Sequence, residues 1–371
     1  MAEAKGKTGI GSKIIKYGFR IYASCIFLLY FSALVAYYFP SSYTGPLSIA
    51  SLFYWPILVL FSISMVVFLF LREWKWLIAH GILFLMSLGS FSSFFSFGLG
   101  ASASLKNEIT IYTHNVHLMG YYDGKLSYQN KERIMREIDQ RKPDVICLQE
   151  CFWNEEENSF FHWSQEPRLK AYSACERVTH KLSDNSHFGV VILSKYPIKY
   201  KGTIPFDNDV NNFAVYADLD TPNGILRVYS VHLQSFRLKE KELKMFDENL
   251  DVDEIQINSK PLLVQLYRSN LKREKQVDRL TKSIAESPYP VVVCGDFNDC
   301  PNSNTYYRMT KDLNDAYVLS NFGIGATYNG LLLGMRIDYC LTDKRLQVKS
   351  CERIEVNSSD HDALFATVGV Q

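Results

Sequence analysis

Val291-Val292-Val293-Cys294-Gly295-Asp296-Phe297-Asn298 is the stretch that decides the fold: an apolar run of strand type ends in a carboxylate and an amide two residues apart. Alternation along an extended chain sends Asp296 and Asn298 to one side and Phe297 to the other, so an acceptor and an amide can converge on one site. Working outward, the same pattern recurs. Asn115 follows Ile111-Tyr112-Thr113-His114, Glu150 follows Val145-Ile146-Cys147-Leu148-Gln149, and His232 follows Val228-Tyr229-Ser230-Val231. Asp338 comes after Arg336-Ile337, and the pair Asp360-His361 precedes the last apolar run. One such strand end is weak evidence; the joint occurrence carries the argument.

Strand-like runs are read at 108–114, 144–149, 189–194, 213–219, 225–232, 290–296, 337–342 and 363–370. Helical periods lie between them. In Tyr128 to Arg141, Ile134 and Ile138 sit four apart beneath a charged face, and Pro143 stops the helix; Lys275 to Glu286 repeats the design with Val277, Leu280 and Ile284. Alternating strands and helices predict an α/β domain, with sheets covered by helices. Phe236 to Pro261 carries charge blocks with little apolar periodicity, which predicts a solvated loop or helix, or a rim following the His232 strand.

The first hundred residues are a different material. Ile21 to Phe39, Leu47 to Leu71 and Leu77 to Leu99 are stretches without Asp, Glu, Lys or Arg, each long enough to cross a hydrocarbon core of about 30 Å. Three transmembrane helices are therefore expected at about 21–39, 47–71 and 77–99, with Tyr37, Tyr38, Trp55, Trp74 and Trp76 at headgroup level. The third is the least apolar, through Gly89-Ser90-Phe91-Ser92-Ser93 and His80, which leaves a re-entrant or interfacial segment as its alternative. Lys5, Lys7, Lys13, Lys16 and Arg20 precede the first span, and Arg72 and Lys75 lie in the second connection. The positive-inside rule then places the N-terminus in the cytoplasm, and three crossings predict an extracytoplasmic domain on a multi-pass plasma (inner) membrane protein. Gly98 to Ser104 reads as a flexible linker between a membrane domain, 1–104, and a globular domain, 105–371.

A net charge of +1 gives no broad steering toward nucleic acid or anionic lipid. No charge inside the spans marks a conduction path, which argues against a transporter. Seven of the eight cysteines lie in the second domain, with no Cys-x-x-Cys pair to suggest zinc, and Cys147, Cys294 and Cys340 fall in strand runs as small buried hydrophobes.

Asn115, Glu150, Asp296, Asn298, Asp360 and His361 form a set of hard oxygen ligands plus imidazole, which suits Mg²⁺ or Mn²⁺. Glu150 is the natural anchor, since Mg²⁺ takes one or two carboxylates and keeps its other positions for water and phosphate. A carboxylate such as Asp338 can receive the ring N–H of His361 and orient it. His114, His117, His162, His180 and His187 keep an ordinary structural reading.

The elements Leu148-Gln149-Glu150, His232-Leu233, Gly295-Asp296-Phe297-Asn298, Arg336-Ile337-Asp338-Tyr339 and Ser359-Asp360-His361 together resemble the endonuclease/exonuclease/phosphatase superfamily, with a deoxyribonuclease-I-like fold, over roughly 108–370. The resemblance, to a membrane-anchored member of bacterial type, implies a four-layer sandwich of two mixed β-sheets flanked by helices. By position it implies Glu150 as principal metal ligand, Asn115 and Asp360 shaping the metal site, Asn298 and His232 on the scissile phosphate, Asp296 orienting water, and His361 with Asp338 as catalytic histidine and partner. His232 in Ser230-Val231-His232-Leu233 is more similar to the branch with phospholipid phosphodiesterases, deadenylase-like enzymes and phosphatases than to abasic-site endonucleases.

The expected function is a membrane-anchored, divalent-metal-dependent phosphoesterase acting on a phosphodiester or phosphomonoester by in-line water attack. The substrate is left open among lipid headgroup, nucleic acid and nucleotide. The lipid bilayer is the partner of the N-terminal helices, and no protein partner can be inferred. Thr327 and Tyr328 read either as groove lining or, equally well, as part of an ordinary packed loop, and no clear basic-aromatic stripe is present, although Arg177, Arg237, Lys272 and Arg273 could assemble one in space. The alternative is a catalytically silent metal- or phosphate-binding module acting in membrane signalling.

Overall fold

The structure, a computed structural model, describes residues 3–102, 104–123, 128–154, 156, 161–181, 186–206, 212–236, 252–330 and 335–370. The charge blocks at Lys239–Lys244 and Asp247–Asp251 fall outside these residues. Contacts divide the chain into two compact units, Met1–Phe91 with Asn302–Asn304, and Ser92–Pro301 with Thr305–Gln371.

The first unit is helical. Helix α1 (Glu3–Tyr38) is followed by one turn at Ser41–Thr44, a 3-10 stretch at Gly45–Phe53, α2 (Tyr54–Phe70) and α3 (Trp74–Met86). Arg20 donates twice, at 2.8 Å each, to the Glu73 carboxylate and so joins α1 to the α2–α3 connection. Lys13–Tyr38 and Ser41–Phe70 are long and apolar enough to cross a membrane. The expected third span is corrected: α3 and α4 (Leu88–Phe94) meet at a 62° bend, so 77–99 is no single straight helix. Ser87 marks the bend. It is fully buried, its hydroxyl donates back to the Phe84 carbonyl at 2.7 Å, and the Gly-Ser tract follows it, a known origin of helix kinks.

The second unit is built on two six-stranded mixed sheets. The first runs in the order β13 (Gln347–Ile354), β14 (Ala363–Val370), β2 (Lys106–Asn115), β3 (Val145–Asn154), β5 (Ser186–Ser194), β4 (Ser173–Lys181). The second runs β10 (Leu313–Asp315), β12 (Asp338–Asp343), β9 (Val291–Asp296), β8 (Gly224–His232), β7 (Phe213–Thr221), β6 (Ile198–Pro205). Alternation decides what faces what. Val145 and Cys147 of β3 join Val292 and Cys294 of β9 in the core between the sheets, while Ile146 and Leu148 turn outward to α5 (Tyr128–Arg141), which buries Ile134, Met135 and Ile138 on them. Helix α6 spans Val252–Ala285, far longer than the expected 275–286; it buries Leu262, Leu266, Val277 and Leu280, and the Tyr229 hydroxyl of β8 donates to its Ser283 carbonyl at 3.2 Å. This is the α/β architecture the sequence predicts, two mixed sheets flanked by helices.

The stretch read as a flexible linker is instead tied down. A two-residue strand β1 (Ser96–Phe97) pairs antiparallel with β11 (Phe322–Gly323), Gly100 N–H donates to the Leu319 carbonyl at 2.9 Å, and Ser102 N–H to Val348 at 2.7 Å. Gly100 permits the approach, for a Cβ there would lie 2.3 Å from Leu319 Cδ2.

Candidate active site

Every strand that brings a chemical group forward does so at the same end of the two sheets. β2 and β3 are parallel, as are β8 and β9, so their C-terminal residues Asn115, His232 and Asp296 and the Glu150 region emerge together. β12 and β14 run antiparallel to β9 and β2, so their starts, Asp338 and the Asp360-His361 turn, reach the same end; Asp338 pairs directly with Asp296. Gly295 allows the closeness at β9: its φ is +135°, and a Cβ would lie 2.0 Å from the Val231 carbonyl oxygen.

The centre is Asp296 Oδ2. It accepts from Asn298 Nδ2 at 2.9 Å and Asn115 Nδ2 at 3.0 Å, and faces His232 Nε2 at 3.7 Å and His361 Nε2 at 3.9 Å. Oδ1 accepts the Asn298 backbone N–H at 2.7 Å. His361 Nδ1 lies 2.9 Å from Asp338 Oδ2, the oriented pair that the sequence predicts. Burial opposes charge on His361, but Asp338 and Asp296 outweigh it and push the imidazole up to about 10. Burial pushes the Asp296 carboxyl up to about 6, against the pull of His361.

Glu150 sits where β3 bulges, between Leu148 and Cys151, with φ +47°. Its Oε1 is approached by Asn115 Nδ2 and His232 Nε2, each at 3.4 Å, and its side chain is 26% exposed. Asp360 pairs with His117. Burial would raise its carboxyl, but the hydrogen bond from His117, 3.0 Å away, and the charge of His361 hold it down at about 2. Ser359 Oγ donates to the Asn115 carbonyl at 2.8 Å and accepts the His361 N–H at 3.1 Å, which fixes this turn to β2.

These residues fit a hard cation. Asp296, Asp338 and His361 bring ligand atoms within 4.8 Å of one another. His361 Nδ1 and Asp338 Oδ2 are committed to each other, however, and both side chains are buried. A cation that keeps water and takes up a phosphoryl oxygen needs an open face, and the half-open carboxylates are Glu150 and Asp360. Asn115 turns its Nδ2, a donor, to Glu150 and Asp296, and its Oδ1 accepts the His117 N–H.

Several residues singled out in the sequence have supporting roles that the sequence did not indicate. Thr327 is fully buried rather than groove-lining; its hydroxyl accepts the N–H groups of Ile337 and Asp338, 3.1 Å each, and so sets the start of β12. Tyr328 stands against His361, ring centroids 5.1 Å apart. Arg273 belongs to no basic track: fully buried on α6, it donates to Asp299 at 3.1 Å, to the Gln234 carbonyl at 2.7 Å and to Asn270, binding together the loops that follow Asn298 and His232. Its signal was a lone cation on the apolar stripe of a helix. Arg237 lies outside the described residues. Arg177 is exposed, its guanidinium 5.4 Å from the ring centroid of Phe213, the residue that pairs with His232.

Residues 113–361 match the Endonuclease/Exonuclease/phosphatase family. Among solved structures the chain is similar to the human Nocturnin catalytic domain with bound sulfate anion, at 19% identity over 71% of this chain and 94% of that one, with a TM-score of 0.51. It is similar to D. rerio TDP2 complexed with single strand DNA product, at 16% identity over 71% and 100%, with a TM-score of 0.50. An endonuclease/exonuclease/phosphatase from Beutenbergia cavernae is 17% identical over 71% and 72%, with a TM-score of 0.49. No curated protein matches the chain. At these identities the likenesses to Nocturnin and TDP2 show the fold alone.

Proposed function

This chain belongs to the endonuclease/exonuclease/phosphatase family, a family of phosphoester hydrolases, and from that premise we propose that it is a divalent-cation-dependent phosphoesterase attached to a membrane. The observation that carries the reading is the convergence on Asp296 Oδ2 of two amides and two imidazoles, one of them oriented by Asp338.

Hydrolysis of a phosphoester by water builds negative charge on nonbridging and leaving oxygens. Asn298 Nδ2 and His232 Nε2 are donors for the nonbridging oxygens: His232 Nε2 makes no hydrogen bond of its own, while Asn298 Nδ2 donates to Asp296 Oδ2 at 2.9 Å and to the Leu233 carbonyl at 3.1 Å and exchanges one of these for phosphate. Asp296, held near neutrality in its affinity for protons, orients the attacking water and accepts its proton as the new P–O bond forms. His361, kept as imidazolium by Asp338, gives its proton to the leaving oxygen as the old P–O bond breaks. The proton on Asp296 then returns to His361 Nε2, 3.9 Å away, which closes the cycle. Glu150 would hold a divalent cation, with Asn115 and Asp360 shaping its site, and the cation would supply Lewis-acid stabilisation of phosphoryl charge.

Two crossings, by Lys13–Tyr38 and Ser41–Phe70, return the chain to the side on which it entered. The Arg20–Glu73 pair joins those two ends, and Arg72 and Lys75 lie beside it, so the positive-inside rule gives both to the cytoplasm. On this reading the catalytic unit is cytoplasmic. The expected extracytoplasmic placement needed a third crossing, which the bent pair α3–α4 would have to make as one span.

The test uses full-length protein with Mg²⁺, Mn²⁺ or EDTA against DNA, RNA, phosphatidyl and sphingomyelin-type lipids and simple phosphomonoesters. Cation-dependent turnover that both Glu150→Ala and His361→Ala abolish is the expected result. Binding of the cation by a folded protein without turnover on any of them would replace the enzyme by the silent module. A reporter fused after Gln371 reads the side of the membrane, and activity of a periplasmic reporter there overturns the two-crossing arrangement.

A further inference from the structure

The surface of the second unit carries one apolar cluster made from two uncharged stretches of chain. Phe97 is 49% exposed, Leu99 91% and Phe322 74%. They sit on the β1–β11 ribbon, where Ser96 and Phe97 pair with Gly323 and Phe322, and the ring of half-buried Phe95 lies 5.2 Å from Phe322 and 5.4 Å from Phe97. No Asp, Glu, Lys or Arg occurs from Trp76 to Leu105 or from Ala316 to Met335. Among the other exposed large apolar side chains of this unit, Tyr128, Val178 and Tyr200 stand within three residues of charged ones, and the pair Leu263-Val264 lies on a helix between Lys260 and Arg268. Scattered single residues of that kind are ordinary, whereas an uncharged aromatic cluster marks an interaction surface.

We propose that the β1–β11 ribbon docks on the lipid bilayer, with Phe97, Leu99 and Phe322 entering the headgroup–acyl boundary as an attachment additional to the spanning helices. This rests on the membrane attachment proposed above. Chain length argues for lipid as the occupant: Leu99 comes five residues after Phe94, the end of the apolar helix α4, so it lies within about 18 Å of it even fully extended. Composition argues the same way, because aromatic and leucine side chains without charge of either sign suit the boundary between water and hydrocarbon. The ribbon is also firmly joined to the catalytic machinery. Arg336, two residues before Asp338, donates to the Ser93 carbonyl at 2.6 Å, just ahead of β1. Six residues after Phe322, Tyr328 stands against His361. A docked ribbon therefore fixes the height and tilt of the active site over the lipid surface.

The experiment uses the full chain carrying Cys25→Ala, which removes the exposed cysteine and leaves seven buried ones. A nitroxide is attached at Phe322→Cys, at Tyr200→Cys as the water reference, and at Ile63→Cys as the reference within a span. In vesicles of phosphatidylcholine and phosphatidylglycerol, collision with oxygen and with a water-soluble nickel chelate is read by power saturation. The label at 322 is expected to favour oxygen over nickel several-fold relative to that at 200, approaching the ratio at 63. A label at 322 as open to nickel as that at 200, while 63 is in lipid, overturns the docking alone. If 63 is itself open to nickel, the membrane reading falls and the docking with it. Protection at 322 from both reagents means a protein surface covers the ribbon, and that also overturns the proposal.

Discussion

Asp296, the last residue of β9, and Asp299, three residues on in the following loop, are both buried, and the protein treats them in opposite ways. Asp296 is met by amides and by imidazoles at 3.7 and 3.9 Å; Asp299 is met by the guanidinium of Arg273 at 3.1 Å. The same contrast separates Asp338 from Asp315. Asp338 pairs with His361 and leaves Oδ1 without a hydrogen bond, whereas Asp315 is filled by Arg336, the Tyr306 hydroxyl at 2.8 Å and the Tyr317 N–H at 2.9 Å. Arginine cannot give up its proton, and imidazole can. Buried carboxylates that face imidazole and amide keep capacity for a substrate and for proton transfer, while those that face arginine are closed and hold the loops in place.

The contrast breaks most visibly at its two extremes. His361→Ala is expected to lower kcat/KM on whichever phosphoester is cleaved by about 10³- to 10⁴-fold, ~4–5.5 kcal/mol, because a positioned acid is lost. Its melting temperature should fall much less than that of Arg336→Met. A His361→Ala protein that melts as early as the Arg336 variant would make His361 a structural group. Arg336→Met is expected to cost ~3–5 kcal/mol of stability, since it leaves Asp315 buried without its cation, and thermal unfolding measures it. Adding Asp315→Asn should restore part of that loss. If Arg336→Met unfolds at the wild-type temperature, the division into open and closed carboxylates is wrong.

Asn298→Ala lies between these. It removes one donor from Asp296 and from the phosphate position, and should cost ~2.7–4 kcal/mol in the barrier. Asn298 also takes φ +52°, a conformation that asparagine accepts better than most residues. Comparing Asn298→Gly with Asn298→Ala therefore separates the amide from the backbone: equal rates with a more stable glycine variant assign the loss to the amide.

What could be read from sequence follows from where each strand lies. Every expected strand of the second unit is present, and each belongs to the interior of a sheet, where apolar runs are long. Within the two six-stranded sheets the strands not anticipated, β4, β6, β10 and β13, are the four edges, and the two-residue strands β1 and β11 are too short to leave a pattern. Edge strands face water and carry charge, as in Glu176-Arg177, Lys199 and Lys201, and Lys349, Glu352 and Arg353, so their apolar signal is diluted. The supports Thr327 and Arg273 escaped for another reason. A buried hydroxyl that caps two distant N–H groups, and an arginine that bridges two loops, are defined by their partners, which are remote in sequence. The bend at Ser87 was foreshadowed only by the Gly-Ser tract, because hydropathy counts apolarity and is blind to helix geometry.

The smallest effect expected is also of opposite sign, and it lies at Glu150. A glutamate at φ +47° inside a strand is held in a conformation that costs a non-glycine residue of the order of 1–2 kcal/mol. Alanine at this position would bear the same backbone cost, and glycine would not. Glu150→Gly should therefore be inactive yet more stable than Glu150→Ala by about 1 kcal/mol, a difference that thermal unfolding of the two variants resolves. Both variants lack the carboxylate, so the comparison removes the charge of Glu150 and its approach to Asn115 and His232 from consideration. A glycine variant no more stable than the alanine one would mean that the β3 bulge relaxes when the side chain leaves. The strain at Glu150 would then come from the grouping of side chains at the site and not from the strand that presents it.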